Sequence, residues 1–245
     1  MPEWKKRWWM WGVLCILGCG VILHHTAQKA ETEEQTNPVS SLELNEEMDT
    51  MESPEEKEDQ EIKKIALTFD DGPHPVYTER MLEVLEEAEV PATFFLLGQN
   101  IEGQEKIVRE IAEKGHLIGN HTFHHVQITG LSKEQACEEI EETNKLIEEL
   151  TGTGTEYVRP PFGTWNEGLE SSLDLIPVMW TIDTKDWTTK NVDSIVNHVV
   201  KNAGENDIIL MHDSYQSTVQ ATERIIRLLK ADGFEFVTVD EVLFD

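Results

Sequence analysis

The chain has 245 residues, 48 acidic against 20 basic, 39% hydrophobic and 7% aromatic, and a formal charge of −28. A pI near 4.5 excludes nucleic acid as the leading partner, because neutralising phosphates needs clustered Lys and Arg, and the only such cluster is Lys5, Lys6 and Arg7. Cys15 and Cys19 lie in the first apolar stretch and Cys137 stands alone beyond it, which excludes a disulfide framework and a thiolate metal site.

Those three basic residues precede an uncharged run, Trp8 to Leu23. Its sixteen residues fall between a cleaved apolar core of ~7 to 15 and a full span of ~20. Small residues are poorly placed for cleavage near Ala27 or Ala30, so residues 1–24 are expected to be an uncleaved membrane anchor, with a cleaved signal segment as the alternative. Basic charge before the run orients the N-terminus inward and leaves the rest extracytoplasmic, tethered to the membrane, or secreted if the segment is cut. Residues 25–62 turn to Glu, Thr, Ser, Gln and Pro, with acids far outnumbering Lys29 and Lys57. Such a segment buries too little apolar surface to offset chain entropy and reads as a self-repelling, disordered tether.

Residues 63–245 form the expected folded domain, with 34 acids and 15 bases and hence a charge of −19. Its β-rich runs are Lys63 to Phe69, Ala92 to Leu97, His116 to Asn120, Tyr157 to Arg159, Ile176 to Trp180, Asp207 to Met211 and Phe234 to Thr238. Helical periodicity fills Tyr77 to Glu89 and Gln104 to Lys114; Ser132 to Leu150 opens on a capping residue, and Thr218 to Asp232 stops at Gly233. Seven strands with helical or looped returns predict an α/β fold, a distorted (β/α) barrel of about seven strands. A barrel is preferred to an open sheet because the chemically suggestive residues fall at strand ends: Asp70 and Asp71, His121 and His125, Arg159, Asp183 and Asp186, His212 and Asp213. In a barrel these ends share one face.

Asp70 and Asp71 stand at a strand end before Gly72-Pro73. Adjacent strand residues point opposite ways, so the two carboxylates are expected to split roles. His121 and His125 are four apart, the spacing at which one helical turn presents two imidazoles to one ion. Spacing alone leaves His124 as an alternative to His125, and helical geometry from His121 favours His125. Two nitrogens and one carboxylate oxygen make a three-ligand set with room for water, the mark of a catalytic rather than a structural site. His74 reads as a substrate-edge or solvent residue, and His116, His198 and Asp213 as structural.

The blocks Thr68-Phe69-Asp70-Asp71-Gly72-Pro73, His121-Thr122-x-x-His125, Arg159-Pro160-Pro161-Phe162-Gly163, Asp183-x-x-Asp186-Trp187 and Leu210-Met211-His212-Asp213 resemble, in order and spacing, the polysaccharide deacetylase family, carbohydrate esterase family 4. The resemblance covers Lys63 to Phe244 and is strongest to membrane-attached bacterial peptidoglycan N-acetylglucosamine deacetylases. Two departures are Val126, often Pro, and Phe162, often Tyr. The resemblance implies Asp71, His121 and His125 as ligands of a divalent metal ion, zinc first, with cobalt, nickel or manganese as alternatives. It implies Asp70 as general base and His212 as general acid, Arg159 to fix Asp70 as an ionised base, and Asp186 to raise the His212 pKa. It also implies that the Phe162 backbone N–H steadies the oxyanion and that Trp187 and Leu210 wall a small acetyl pocket. The expected activity is removal of N-acetyl groups from N-acetylglucosamine units of a cell-wall polysaccharide, peptidoglycan or chitin-like, by a monomer. The alternatives are an O-acetyl esterase acting on xylan and a non-catalytic wall-binding module. The domain's acidity should repel anionic wall polymers unless the cleft itself is less negative.

Overall fold

A computed structural model describes residues 62–165, 168–169 and 173–244. The expected anchor and tether lie outside them, and among the described residues no helix is long and apolar enough to cross a membrane.

The first strand, β1 (Lys63–Gly72), is the longest and lies at the centre of a sheet whose pairings are all parallel. Its odd residues Ile65, Leu67 and Phe69 face the helical layer, whereas Ala66 belongs to a second apolar cluster inside the barrel. Strand alternation puts Thr68 and Asp70 on that inner side. Burial on both faces explains the near-continuous apolar run. After α1 (Tyr77–Ala88) come β2 (Thr93–Leu96), the short α2 (Gly98–Ile101), α3 (Glu105–Glu113) and β3 (Leu117–Asn120). The 19-residue α4 (Lys133–Thr151) starts from a capping box in which Ser132 and Gln135 satisfy each other's backbone N–H. The chain continues through β4 (Tyr157–Val158), β5 (Ile176–Pro177), β6 (Ile182–Asp183), α5 (Val192–Asn202), β7 (Asp207–His212), α6 (Gln216–Ala231), β8 (Phe234–Val237) and α7 (Val239–Leu243).

The strand order is β5-β4-β3-β2-β1-β7-β6, and β8 pairs with the N-terminal half of β1 below β2. Among the described residues the sheet has eight strands and curls into the expected distorted barrel, open on one side. β6 is the one the sequence does not announce, because Ile182 stands alone among Thr181, Asp183 and Thr184 and makes no apolar run. Among the described residues β5 and β6 do not pair, which leaves the barrel distorted at that seam. The Val178 N–H bonds back to Val158 and the Thr181 N–H to Ile208, while the Val178 and Met179 carbonyls accept from Arg159. A guanidinium thus takes the place of ladder hydrogen bonds where the sheet fails to close. The outer core joins Met81, Leu82 and Leu85 of α1, Ile107 and Ile111 of α3, Ile195 and Val199 of α5, and Ile225 and Leu229 of α6 to the outer faces of β1, β2 and β7.

Candidate active site

The pairing of β1 with β2 slips between Asp70 and Gly72, and Asp71 has φ 71°. This bulge overrides the simple alternation expected from the sequence. Instead of diverging, the two carboxylates share one cleft: Asp70 Oδ2 is 3.8 Å and Asp71 Oδ1 3.5 Å from His121 Nε2. Asn100 of α2 donates to the Asp71 carbonyl at 2.8 Å and holds the bulge from behind.

The histidines also meet, but not on a helical turn. Residues 121–127 are irregular, and Thr122 (φ 68°) and His125 (φ 57°) are left-handed. This tight loop brings the two rings to a centroid distance of 5.1 Å and places His125 Nε2 3.4 Å from Asp71 Oδ1. His124 is turned towards Glu139, with Nδ1 2.8 Å from its carboxylate, so the geometry separates the two candidates that spacing could not. His121 Nδ1 lies 2.6 Å from the Arg159 carbonyl. A carbonyl only accepts, so Nδ1 carries the proton and the Nε2 lone pair faces the cleft. Burial holds the His121 imidazole below its ordinary range, keeping it neutral despite the Asp70 and Asp71 charges.

Asp71 Oδ1 is buried and has no hydrogen-bond partner. A buried carboxylate oxygen without a partner is costly, yet here it faces two imidazole nitrogens, all within 4.8 Å of one another. A divalent cation held by Asp71, His121 and His125 would supply the missing partner, and this donor set suits zinc and its neighbours.

On one side stands Arg159, fully buried. Its Nη1 donates to Asp70 Oδ1 at 2.9 Å and to Thr68 Oγ1 at 2.6 Å, and its Nε and Nη2 donate to the Val178 and Met179 carbonyls. The guanidinium also lies 4.2 Å from the Phe95 ring centroid. Burial pulls its pKa down and Asp70 opposes the shift. On the other side His212 Nδ1 is 2.8 Å from Asp186 Oδ1. Asp186, likewise fully buried, also accepts from the His212 backbone N–H and the Thr218 hydroxyl, both at 2.8 Å. Burial would lower the His212 pKa, but Asp186, backed by Asp70 and Asp71, raises it to about 9.

A family model described as polysaccharide deacetylase matches residues 57–176. A peptidoglycan-N-acetylglucosamine deacetylase of Bacillus cereus is 38% identical over 189 residues, which cover 74% of this chain and 88% of that relative. The chain belongs to the polysaccharide deacetylase family. PdaC of Bacillus subtilis, a peptidoglycan-N-acetylmuramic acid deacetylase, is 36% identical over 188 residues; these are 77% of this chain but only 40% of PdaC. The solved structure of PdaC matches with a TM-score of 0.72 at 36% identity, over 74% of this chain and 90% of that one. The parallel barrel is therefore the fold of solved family members.

Around this deacetylase-family centre, the remaining residues singled out in the sequence sort by exposure. Phe162, 66% exposed with φ 61°, sets its ring edge-on to His125 at 4.9 Å. Trp187 is 52% exposed at the rim, beside Lys185, whose ammonium pairs with Asp183. Leu210 is buried on β7 two residues before His212, and so on the same inner face. His74 lines a shallow pocket with Asp71 and Asn100; its Nδ1 accepts the Val76 and Tyr77 N–H groups at the start of α1, and burial lowers its pKa. Asp213 is fully buried, accepts from the Thr78 hydroxyl and leaves Oδ1 without a partner. Burial first, then Asp71 and Asp70, pushes its carboxyl up to about 7. Sequence reasoning missed Thr68, Asn100, Glu139 and Thr218. Each is a common polar residue whose role exists only through a partner distant in sequence.

Proposed function

We propose that the protein is a metal-dependent hydrolase that removes N-acetyl groups from N-acetylglucosamine units of a cell-wall polysaccharide, peptidoglycan or chitin-like. The observation that carries this reading is the partnerless Asp71 Oδ1 facing two histidines, with an arginine-held carboxylate on one flank and an aspartate-held imidazole on the other. A divalent ion held by Asp71, His121 and His125, zinc first and cobalt, nickel or manganese as alternatives, would acidify a water and polarise the acetyl carbonyl.

The chain's own groups supply the remaining chemistry. Arg159 engages Asp70 Oδ1, so Oδ2 is the atom that takes the proton of the attacking water. Developing negative charge on the acetyl oxygen is steadied by the Phe162 backbone N–H. Because His212 Nδ1 is committed to Asp186, Nε2–H is the proton delivered to the departing sugar nitrogen. A pKa of about 9 keeps that proton in place at neutral pH, and general acid catalysis of this kind contributes ~10² to 10⁴ in rate. Phe162, Trp187 and Leu210 shape the space for the acetyl group.

The His212–Asp186 pair favours an amide over the alternative, an O-acetyl ester of xylan, because an alkoxide leaves with far less help from an acid than an amine does. It also speaks against a wall-binding module without turnover, which needs no general acid. The two relatives differ by name in acting on N-acetylglucosamine or N-acetylmuramic acid, and the domain's charge of −19 favours the sugar without a carboxylate. The basic residues before the run from Trp8 to Leu23 support an extracytoplasmic protein tethered to the membrane, or a secreted one after cleavage.

The test is acetate release from N-acetylglucosamine oligomers and from acetylated xylan, before and after chelation, with Asp70→Asn as control. Release from the oligomers that stops on chelation and falls ~10² or more in the variant is the expected result. Release undiminished by either treatment would overturn the mechanism. Preference for xylan would move the activity to esters, and binding without release would return the protein to a wall-binding role.

A further inference from the structure

The loop that carries His125 is neither helix nor strand, and two of its residues, Thr122 and His125, are non-glycine residues in the left-handed region. Each such position is strained and persists only where its surroundings determine it. The Thr122 N–H is held by Asn120 Oδ1 at 2.7 Å and the His125 N–H by Thr122 Oγ1 at 3.1 Å. The Thr122 and Phe123 carbonyls accept from the Gly98 and Gln99 N–H groups of α2. What remains is the turn at Phe123 and His124, and there one side chain takes every donor. Glu139 Oε2 accepts the Phe123 N–H at 3.2 Å and the His124 N–H at 2.9 Å, while Oε1 meets His124 Nδ1 at 2.8 Å.

Glu139 sits on α4, one turn after the capping box and on the side of the helix that faces the loop. Its carboxylate is only 16% exposed, and nothing in the chemistry derived above uses it. In α4 a glutamate is unremarkable for propensity, but a mostly buried one bonded to three donors from a single turn serves that turn.

We propose that Glu139 is a positioning residue for the metal site: by fixing the Phe123–His124 turn it sets where His125 Nε2 stands relative to Asp71 and His121, and so sets the affinity for the ion. The proposal rests on the metal reading above and extends it to a residue outside the ligand set. Groups that orient metal ligands from behind typically contribute 10- to 100-fold in affinity.

The variants separate geometry from charge. In Glu139→Gln the amide oxygen still accepts both backbone N–H groups and the amide N–H reaches the His124 ring. In Glu139→Asp the carboxylate is withdrawn by one methylene, and in Glu139→Ala it is gone. His124→Ala removes the ring and leaves both backbone bonds. The experiment is zinc affinity of the metal-stripped full chain, measured by competition with a chromophoric chelator, alongside the melting temperature of the metal-free protein. Glu139→Ala and Glu139→Asp are expected to weaken zinc binding ~10-fold or more, and Glu139→Gln and His124→Ala to keep wild-type affinity. Should the alanine variant fail to fold, the aspartate variant decides. Wild-type affinity in the aspartate variant, or a loss reproduced by His124→Ala, would overturn the role given to Glu139. Absence of zinc binding in the wild type would instead overturn the metal reading on which it rests.

Discussion

Two buried acids lie within the same cleft walls and have opposite consequences for pH. Asp186 gives its charge to His212: burial alone would depress the imidazole, but the carboxylate lifts it from 6.5 to about 9. A raised histidine pKa stabilises the fold fully below pH 6.5, and that contribution is lost as pH rises through about 9. In the metal-free protein Asp186→Asn should bring the His212 titration, followed by NMR, back towards 6.5 or lower. In the loaded enzyme the alkaline fall in kcat/KM should move to lower pH with it. A titration that stays near 9 would show that Asp186 is not the cause. Asp213 runs the other way. Its pKa rises from 3.8 to about 7, so ionisation costs stability progressively above pH 4 and in full above pH 7. Metal-free Asp213→Asn, which keeps an acceptor for Thr78, should be more stable than wild type at pH 8 by on the order of 3 kcal/mol. The gain should vanish by pH 4, as denaturant melts at the two pH values will show. The acids and histidines at strand ends were legible in the sequence because chemistry-bearing types recur there. Glu139 and Thr218 were not, because a Glu or Thr on an amphipathic helix carries no local sign of a distant partner.

Elements reproduce this contrast between local pattern and tertiary circumstance. Four of the long helices could be read because their apolar period is sustained: α1, α3, α4 and α6 stand within a residue or two of their expected limits, whereas α5 was not expected although Asn191 caps it and Ile195, Val196 and Val199 form its buried stripe. α2 and α7 are too short to carry a period, and β6 holds one apolar residue, Ile182. The expected helical turn at His121 gave way to a loop, since Leu96 at the end of β2 and Gly98 and Gln99 of α2 already hold it by its backbone. Gly119 of β3 shows what such tertiary fitting demands. A Cβ there would lie 2.3 Å from the Phe95 ring, and that ring in turn lies against the Arg159 guanidinium. Gly119→Ala should therefore cost about 1–3 kcal/mol in thermal or denaturant melts and lower kcat, because Phe95 can yield only by pushing Arg159 and with it Asp70. A variant with wild-type stability and turnover would show the inner layer to be looser than its packing suggests. Ser132→Ala, at the start of α4, should cost about 1 kcal/mol through the lost cap and leave kcat unchanged. The difference between the two variants separates an element's stability from its hold on the site.

At the scale of the whole molecule, the barrel gathers residues from Asp70 to His212 onto one end, and convergence of strand ends was the part of the fold most legible in the sequence. Its seam was not: Arg159 could be expected to pair with Asp70, but its service to the unpaired carbonyls of Val178 and Met179 follows from a gap that no local pattern announces. Charge is the remaining global property. The domain carries −19, while three of the acids around the centre are engaged locally, Asp70 by Arg159, Asp183 by Lys185 and Asp186 by His212, and Asp71 would be engaged by the metal ion. Repulsion of an anionic glycan is therefore a long-range effect of the outer surface, and long-range effects are the ones salt removes. The screening length falls from about 10 Å at 0.1 M to about 3 Å at 1 M. With carboxylate-bearing peptidoglycan fragments KM should fall about threefold or more across that range as the repulsion is screened. With neutral N-acetylglucosamine oligomers of equal length it should stay flat, and kcat should be unchanged for both. A parallel response for the two substrates would place the salt effect in the protein's stability or metal site. A KM for the anionic fragments that rises with salt would mean that the cleft attracts their charge, and N-acetylmuramic acid would then become the better candidate for the sugar that is deacetylated.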